Sequence, residues 1–446
     1  MGSALPSASG PPVPPAEQFS SAYVNYVIAL IFLVSAINVC DRTIVAVLVD
    51  DIRAELALDD RQMGVVMGFA FSITYLLASV PIARLADRSR RAPIVAGALF
   101  AWSLMTAASG LVQSYVQLLL ARMGVGLGEA GGSPPCHSLL MDYVPAERRA
   151  RAMSWLPIGA LVGVGGGMYY GGWASEQFGW RLALISVGIP GCLLALLFLG
   201  TVKEPPRRVA DASAATLATG TLSEVLLGLL RSPAFRWLMV ASSIAMTAGM
   251  ARTFWEPTLL RRVYGLGPAD AGAIYLLIST LPSALGTWLG ALIADRLSAR
   301  DRRWYAWVPA IGSAALVPFA VGFYLLPVEL QFAGVRVGFV MAVMASLLSG
   351  AWSAPVMATA QVLVPPQARA VSAAVWTTVA GFVGGSLGPL LIGDLNMRLQ
   401  PVAGAESVRW SLAMVAVVPI AAALAFARLA RWMPAAPRAR EQQDTG

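Results

Sequence analysis

Charge is scarce in this 446-residue chain. Asp, Glu, Lys and Arg make up 13% of it, against about 25% in an ordinary soluble domain. Histidine occurs once, at His137, and cysteine three times, at Cys40, Cys136 and Cys192. The odd cysteine count and the lack of CxxC spacing exclude a disulfide framework and a zinc site. Each thiol lies in an apolar stretch and reads as a small buried hydrophobe. There is no GxxxxGK[ST] loop, so ATP drive is not expected from this chain. A single His, with neither HExxH nor a nucleophile elbow, argues against a membrane enzyme. No cofactor and no metal are expected. Residues 1–21 carry no Lys or Arg and no apolar core of a cleavable signal peptide, so their Pro, Ser and Ala predict a disordered tail.

Apolar residues are abundant: 57% of the chain, with a mean hydropathy of +0.67. They fall in runs of about 20 residues, the length that crosses a bilayer as a helix. Twelve such spans are predicted: 23–48, 63–85, 93–112, 116–140, 155–173, 180–202, 235–255, 269–293, 304–326, 335–356, 371–391 and 410–432. Trp155, Trp173, Trp180, Trp304, Trp410 and Trp432 stand at span ends, where indole rings favour the membrane interface. The longest connection splits the spans six and six. The expected organisation is therefore a tail (1–21), a six-helix bundle (22–202), a linker (203–233), a second six-helix bundle (234–433) and a second tail (434–446).

The net charge of +8 invites a nucleic-acid reading, but the distribution of the basic residues argues against it. With the N-terminus inside, 20 of the 32 Lys and Arg lie on that side and 8 on the other. That bias predicts both termini in the cytoplasm, of an inner membrane if the cell is bacterial, and no nucleic-acid partner. The remaining four, Arg42, Arg122, Arg236 and Arg252, fall within or against spans.

The halves resemble each other. Ala83-Arg84-Leu85-Ala86-Asp87-Arg88 after the second span answers Ala291-Leu292-Ile293-Ala294-Asp295-Arg296 after the eighth. At a constant offset of 220, Pro135 maps to Pro355, Pro145 to Pro365 and Arg149 to Arg369. A six-span duplication is a transporter architecture, with its substrate site between the halves near mid-membrane.

At these residues the chain resembles the major facilitator superfamily. Asp87, Arg88 and Arg91 match that family's loop motif G-x-x-x-D-R-x-G-R-[RK], although Ala83, Arg90 and Ala92 depart from it. Arg122-x-x-x-Gly126-x-Gly128 matches the fourth-span pattern. Span 5 has Gly159, Gly163, Gly165, Gly166 and Gly167 but not the Gly-Pro of the antiporter motif. Within the superfamily the chain is most similar to the Spinster-like branch. The residues that carry this are Asn38-x-x-Asp41-Arg42, Met63-Gly64-x-x-x-Gly68-Phe69-Ala70-Phe71, Arg122-x-Gly124-Val125-Gly126-x-Gly128-Glu129-Ala130-Gly131, Gly179-Trp180-Arg181 and Glu204-Pro205-Pro206-Arg207. The resemblance implies an all-α fold of twelve transmembrane helices in two pseudo-symmetric bundles. It also implies transport of lysolipids or sphingoid phosphates, with proton coupling in some members. The competing expectation is a carrier of small organic anions or drugs. A monomer is expected, with lipid, protons and the substrate as its partners.

A charge at the centre of a spanning helix costs about 2.5–3.5 kcal/mol, which makes each one a functional candidate. Arg122 and Glu129 are seven residues apart and face one side of a helix. With Asp41 and Arg42 they are expected to cluster at the cavity, which spans 1 and 4 line in the superfamily. Asp41 and Glu129 would carry protons, while Arg42 and Arg122 would hold an anionic group, for which guanidinium offers a two-pronged donor. The alternative is a static ion-pair network that only locks helices. Phe71, Tyr75, Tyr169 and Trp376, with Met67, Tyr170 and Trp255, are candidate contacts for an apolar tail. Asp87, Arg88, Arg91, Asp142 and Arg149 are expected to form an inner gate, or else simply set topology. Arg252 and Glu256 are expected to form an outer gate or a local pair, and His137 to be a proton relay or a packing histidine.

Overall fold

The chain is seen in a computed structural model that describes residues 19–206, 222–364 and 369–433. Nine helical segments in it are long and apolar enough to cross a membrane. Two of them, Arg151–Thr201 and Val371–Ala430, run to 51 and 60 residues, twice the length one crossing needs. The fourth crossing is absent from those nine because it is broken, into Tyr115–Glu129 and Ser133–Tyr143. With these assignments the predicted spans are accounted for, and they are named below by their order in the chain. The expected tails lie largely outside the described residues, as does most of the linker.

Local sequence explains where the helices start and stop. Ser20 caps the first crossing, Ser21–Val47, by accepting a hydrogen bond from the Tyr23 amide. A short helix, Val49–Leu56, follows it and ends at Ala57 in the left-handed region. Asp59 and Gln62 then form a capping box that opens the second crossing, Asp60–Ala86. Gly131 and Gly132 interrupt the fourth crossing just past Glu129, and Pro134 and Pro135 restart it. The tenth crossing is broken in the same way, into Val337–Gly350 and Ser353–Val362 around Ala351 and Trp352. The 220-residue offset maps Gly131 and Gly132 onto these two residues, so the repeat extends to the helix breaks.

The second and eighth crossings each contain one wide turn with i→i+5 bonding, at Val65–Phe69 and Leu276–Thr280. Such turns re-aim the side chains that follow them. Gly179, at φ +82°, turns the fifth crossing into the sixth, a backbone shape open essentially to glycine alone. Gly404, at φ +53°, stands between the eleventh and twelfth.

Four differences from the sequence expectations concern boundaries. Residues 335–336 pair with 331–332 in a two-stranded hairpin, so the tenth crossing begins at Val337. The linker contains a helix, Leu222–Arg231, which stops where Ser232 caps the seventh crossing, Pro233–Arg262. Residues 203–206 fold back onto the first half, and Ser21 already belongs to the first crossing. Among the thiols only Cys136 is buried; Cys40 and Cys192 are partly exposed and all three are free.

Apolar side chains such as Leu77, Leu193 and Leu424 stay exposed, as a surface facing lipid requires. One apolar cluster is built from residues 27–202 and another from residues 229–433. A third joins both halves at the end opposite the termini, hereafter the far end, where Ile44, Met67, Trp255, Leu260 and Ile392 come together. Gly64 and Gly68 bring the second crossing against the backbone of the eleventh there. A Cβ on either would stand 2.7 Å from the carbonyl of Pro389 or Gly385. Also at the far end, Glu55 accepts from Trp180 Nε1 at 2.6 Å and Arg181 Nε at 2.8 Å. Those bonds, Arg181 first, hold its carboxyl below the usual range.

Candidate functional site

A cavity of about 170 Å³ lies between the halves. The first and second crossings supply Arg42, Met67, Phe71, Ser72, Tyr75 and Leu76. The seventh and eleventh supply Met246, Met250, Phe254, Thr377, Thr378, Gly381, Phe382 and Gly385. Arg42 is the one charged residue of that lining. Its guanidinium carbon sits 4.3 Å from the centre of the Phe71 ring, a cation–π contact, and Phe71 stacks on Tyr75 with centroids 5.8 Å apart.

Behind Arg42 the other three members of the expected cluster converge. Its Nη2 donates to Glu129 Oε2, pairing a side chain 30% exposed to the cavity with one that is fully enclosed. Arg122, wholly buried, reaches back to the first crossing and donates Nη1 to the Asp41 carbonyl at 3.2 Å and Nη2 to the Arg42 carbonyl at 3.4 Å. Asp41 is buried too, and accepts from Ser103 Oγ of the third crossing at 3.4 Å. Tyr75 stands within electrostatic range of both Arg42 and Glu129. Among the described residues, Asp41 Oδ1, Glu129 Oε1, Arg42 Nε and Arg122 Nε have no hydrogen-bond partner. Four charges with unspent bonding capacity behind a cavity wall form an uncommon arrangement, because an unsatisfied buried polar atom costs about 1–3 kcal/mol. The break at Ala130–Gly132 directly follows Glu129, so that carboxylate sits at a helix C-terminus rather than in a continuous helix.

Other sequence candidates fall elsewhere. Tyr169 is about half exposed on the fifth crossing and does not line the cavity. Trp376 is 8% exposed and packs into the apolar cluster of the second half; its neighbours Thr377 and Thr378 face the cavity instead. Trp255 is buried, its Nε1 donating to the Pro389 carbonyl at 2.9 Å, and the Tyr170 hydroxyl bonds Ser186. His137 Nδ1 lies 2.8 Å from the carbonyl of Ser133, one turn back in its own helix. Among the described residues no hydrogen bond links it to Glu129.

The expected gates differ more. Arg91 does pair with Asp142, at 2.5 Å, and donates Nε to Glu204 at 2.8 Å and Nη1 to Ser138 at 2.8 Å. These partners all belong to the first half, so the cluster clamps the ends of its helices and does not join the halves. Arg149 donates to the Val144 carbonyl, Arg88 is exposed, and the side chain of Asp87 lies outside the described residues. Arg252 pairs with Glu256 at 2.8 Å, one turn along the same helix, and Glu256 also accepts from Ser279 and Tyr324. Both residues sit inside the second half, and in this structure they form the local pair rather than a bridge to the first half.

The halves are latched by arginines that the sequence reading counted only toward topology, paired with acidic residues it did not single out. Arg261 donates to Asp51 at 2.7 Å; Arg262 pairs with Asp50 at 2.7 Å and with Asp60 at 2.6 Å. Asp60 also takes Arg53 at 3.1 Å and Asn396 Nδ2 at 2.9 Å. Arg61 approaches Asp394 at 3.6 Å. All of these lie at the far end. No ion pair joins the halves at the end that carries the termini, among the described residues. The readable signal was complementarity: an Arg doublet and an Asp doublet at span ends on one predicted side.

Comparison with known proteins identifies the family. The model of the Major Facilitator Superfamily matches residues 31–389. An "MFS-type efflux pump" of Mycolicibacterium smegmatis is 30% identical over 90% of this chain and 91% of its own length. "Protein spinster homolog 1" of Xenopus tropicalis is 28% identical over 84% of this chain and 73% of its own. The crystal structure of a bacterial homologue of the human lysosomal transporter Spinster, inward-facing and unoccupied, superposes with a TM-score of 0.82 at 26% identity, covering 93% of this chain and 98% of that one. The chain is thus an integral membrane transporter and not an enzyme: it belongs to the major facilitator superfamily, in its Spinster-like branch.

Proposed function

We propose that the protein is a proton-coupled carrier of an amphipathic anion, such as a lysophospholipid or sphingoid phosphate, working as a monomer by alternating access. The observation that carries this reading is Arg42. It is a lone charge in an otherwise uncharged, largely apolar lining, held from behind by Glu129 with only one of its nitrogens. An anionic headgroup entering the cavity meets a guanidinium with donors to spare, while its tail meets Met67, Phe71, Met250 and Phe254.

Proton and substrate then share one arginine. A proton on Glu129 removes the charge that holds Arg42, and Arg42 is free to take the anion. Loss of that proton restores the pair and expels the anion. Asp41 stands behind the same arrangement, tied in through Arg122, as the second proton carrier. Arg122, whose hydrogen bonds to described residues go to backbone carbonyls of the first crossing and whose charge acts on Glu129 and Asp41, positions the other three rather than binding substrate. The excess of arginine at the termini end orients that end to the cytoplasm, of the inner membrane in a bacterium. The latched far end is then the outer one, and the cavity opens inward.

A second reading is favoured by the cavity itself. About 170 Å³ is small beside the 300–1,000 Å³ of typical ligand sites, so a small organic anion or drug demands less widening of it than a lysolipid does. Uptake into proteoliposomes separates the two. Labelled lysophosphatidic acid and a small aromatic carboxylate are offered with and without an imposed pH gradient. Saturable, gradient-accelerated uptake of the lysolipid is expected. Uptake of the carboxylate alone would establish the second reading, and lysolipid uptake indifferent to the gradient would remove proton coupling.

A further inference from the structure

A second chamber, of about 190 Å³, lies inside the C-terminal half between the seventh, eighth and tenth crossings. Its chemistry is unlike that of the inter-half cavity. Eight of its fifteen lining residues carry a hydroxyl, against four of fourteen in the cavity between the halves. Met246 and Met250 line both, so the two chambers share a wall made of flexible thioether side chains.

The charges in this chamber cancel. Arg252 gives Nε to Glu256 and Nη2 to Ser346 at 2.9 Å, and Glu256 accepts from Arg252, Ser279 and Tyr324. An incoming anion therefore finds the arginine already paired, and an incoming cation finds the glutamate already satisfied. What remains available are hydroxyls. Ser283 and Ser349 make no side-chain hydrogen bond to other described residues. Thr287 and Ser353 donate to main-chain carbonyls, Thr287 to Ser283 and Gly350 at 3.0 and 3.1 Å, and keep their lone pairs. Trp352 adds a flat apolar ring to the lining. A charge-balanced pocket of mixed donors and acceptors beside an aromatic ring suits a group that both donates and accepts and has an apolar C–H face.

We propose that this chamber is a polar subsite for a neutral, multiply hydroxylated part of the substrate, a polyol or glycosyl group, joined to the anion that Arg42 holds. This rests on the proposed role of Arg42 and narrows the substrate to an anion that bears a polyol. The polyol can belong to a lipid headgroup or to a free sugar acid, and the test separates these sources.

Binding to the purified full-length protein is measured with three probes. One is 1-oleoyl-lysophosphatidylinositol. The second is 1-oleoyl-lysophosphatidylmethanol, with the same tail and a phosphate diester of the same charge but no polyol. The third is D-gluconate, a polyol acid with no tail. The inositol lipid is expected to bind about tenfold more tightly than the methanol lipid, the worth of one or two net hydrogen bonds. In the double variant Ser283→Ala, Ser349→Ala that ratio is expected to fall to within about twofold, and in Ser349→Ala alone to move in the same direction. Equal affinity of the two lipids for the wild-type protein overturns the subsite without any variant, and so does a ratio unmoved by the substitutions. If neither lipid binds while gluconate does, and gluconate weakens at least about fivefold in the double variant, the subsite stands and the lipid reading falls. Binding of none of the three overturns the subsite.

Discussion

At the scale of single residues, the proposed site turns on Arg42. Its aromatic neighbour Phe71 and its carboxylate partner Glu129 fix the guanidinium without exhausting it. Arg122 is the residue that makes this arrangement rigid, since both of its bonds go to carbonyls of the first crossing. Arg122→Ala is therefore expected to destabilise the protein by about 3–5 kcal/mol, as loss of one member of a buried charge set does, and to lower affinity for the anion as a consequence. Thermal unfolding in detergent checks the first expectation; a variant as stable as the wild type would show that Arg122 is not structural. Asp41, Arg42, Arg122 and Glu129 were legible in the sequence because charge inside an apolar span is expensive and stands out. The cavity aromatics were half legible. Phe71 and Tyr75 lie against Arg42, but Tyr169 and Trp376 do not line the cavity, because aromatic residues occur on every face of a membrane helix, toward lipid as often as toward a cavity.

At the scale of elements, the far-end latch is a set of ion pairs between helix ends of the two halves. Arg262, at the end of the seventh crossing, bridges Asp50 beyond the first and Asp60 at the start of the second. Gly64 and Gly68 let the second crossing lie directly on the eleventh beneath that latch. Arg262→Ala removes both bridges, leaves Asp60 with Arg53 and Asn396, and is expected to shift the population toward opening at the far end. Spin labels placed on the short helix Val49–Leu56 and near the end of the seventh crossing read this as a longer distance in a larger fraction of molecules. An unchanged distance distribution would mean that the remaining contacts, Arg261 with Asp51, Asn396 with Asp60 and the apolar cluster beneath, hold the halves without Arg262. The helices were legible from length and hydropathy. Their breaks after Glu129 and at Ala351 were not, since Gly in a membrane helix marks close packing as often as a break. The latch was hidden for a different reason: charges at span ends have a sufficient explanation in topology, and only the three-dimensional pairing of Arg261 and Arg262 with Asp50, Asp51 and Asp60 shows a second use.

At the scale of the whole molecule, the two halves meet through small residues, an apolar cluster and ion pairs at one end. They enclose a cavity whose single charge comes from the N-terminal half, beside a hydroxyl-lined chamber that belongs wholly to the C-terminal half. In the proposed mechanism, rocking of the halves about this centre would carry Arg42 past the C-terminal wall, and the state of Glu129 would decide whether Arg42 holds its own carboxylate or a foreign anion. The most direct test compares Glu129→Gln with the wild-type protein in proteoliposomes, measuring uptake driven by an imposed pH gradient and, separately, exchange of labelled for unlabelled lysolipid at equal pH. The account predicts that the variant still exchanges substrate but no longer responds to the gradient, its acceleration falling from severalfold to none. Gradient-driven uptake that survives intact in Glu129→Gln would contradict it.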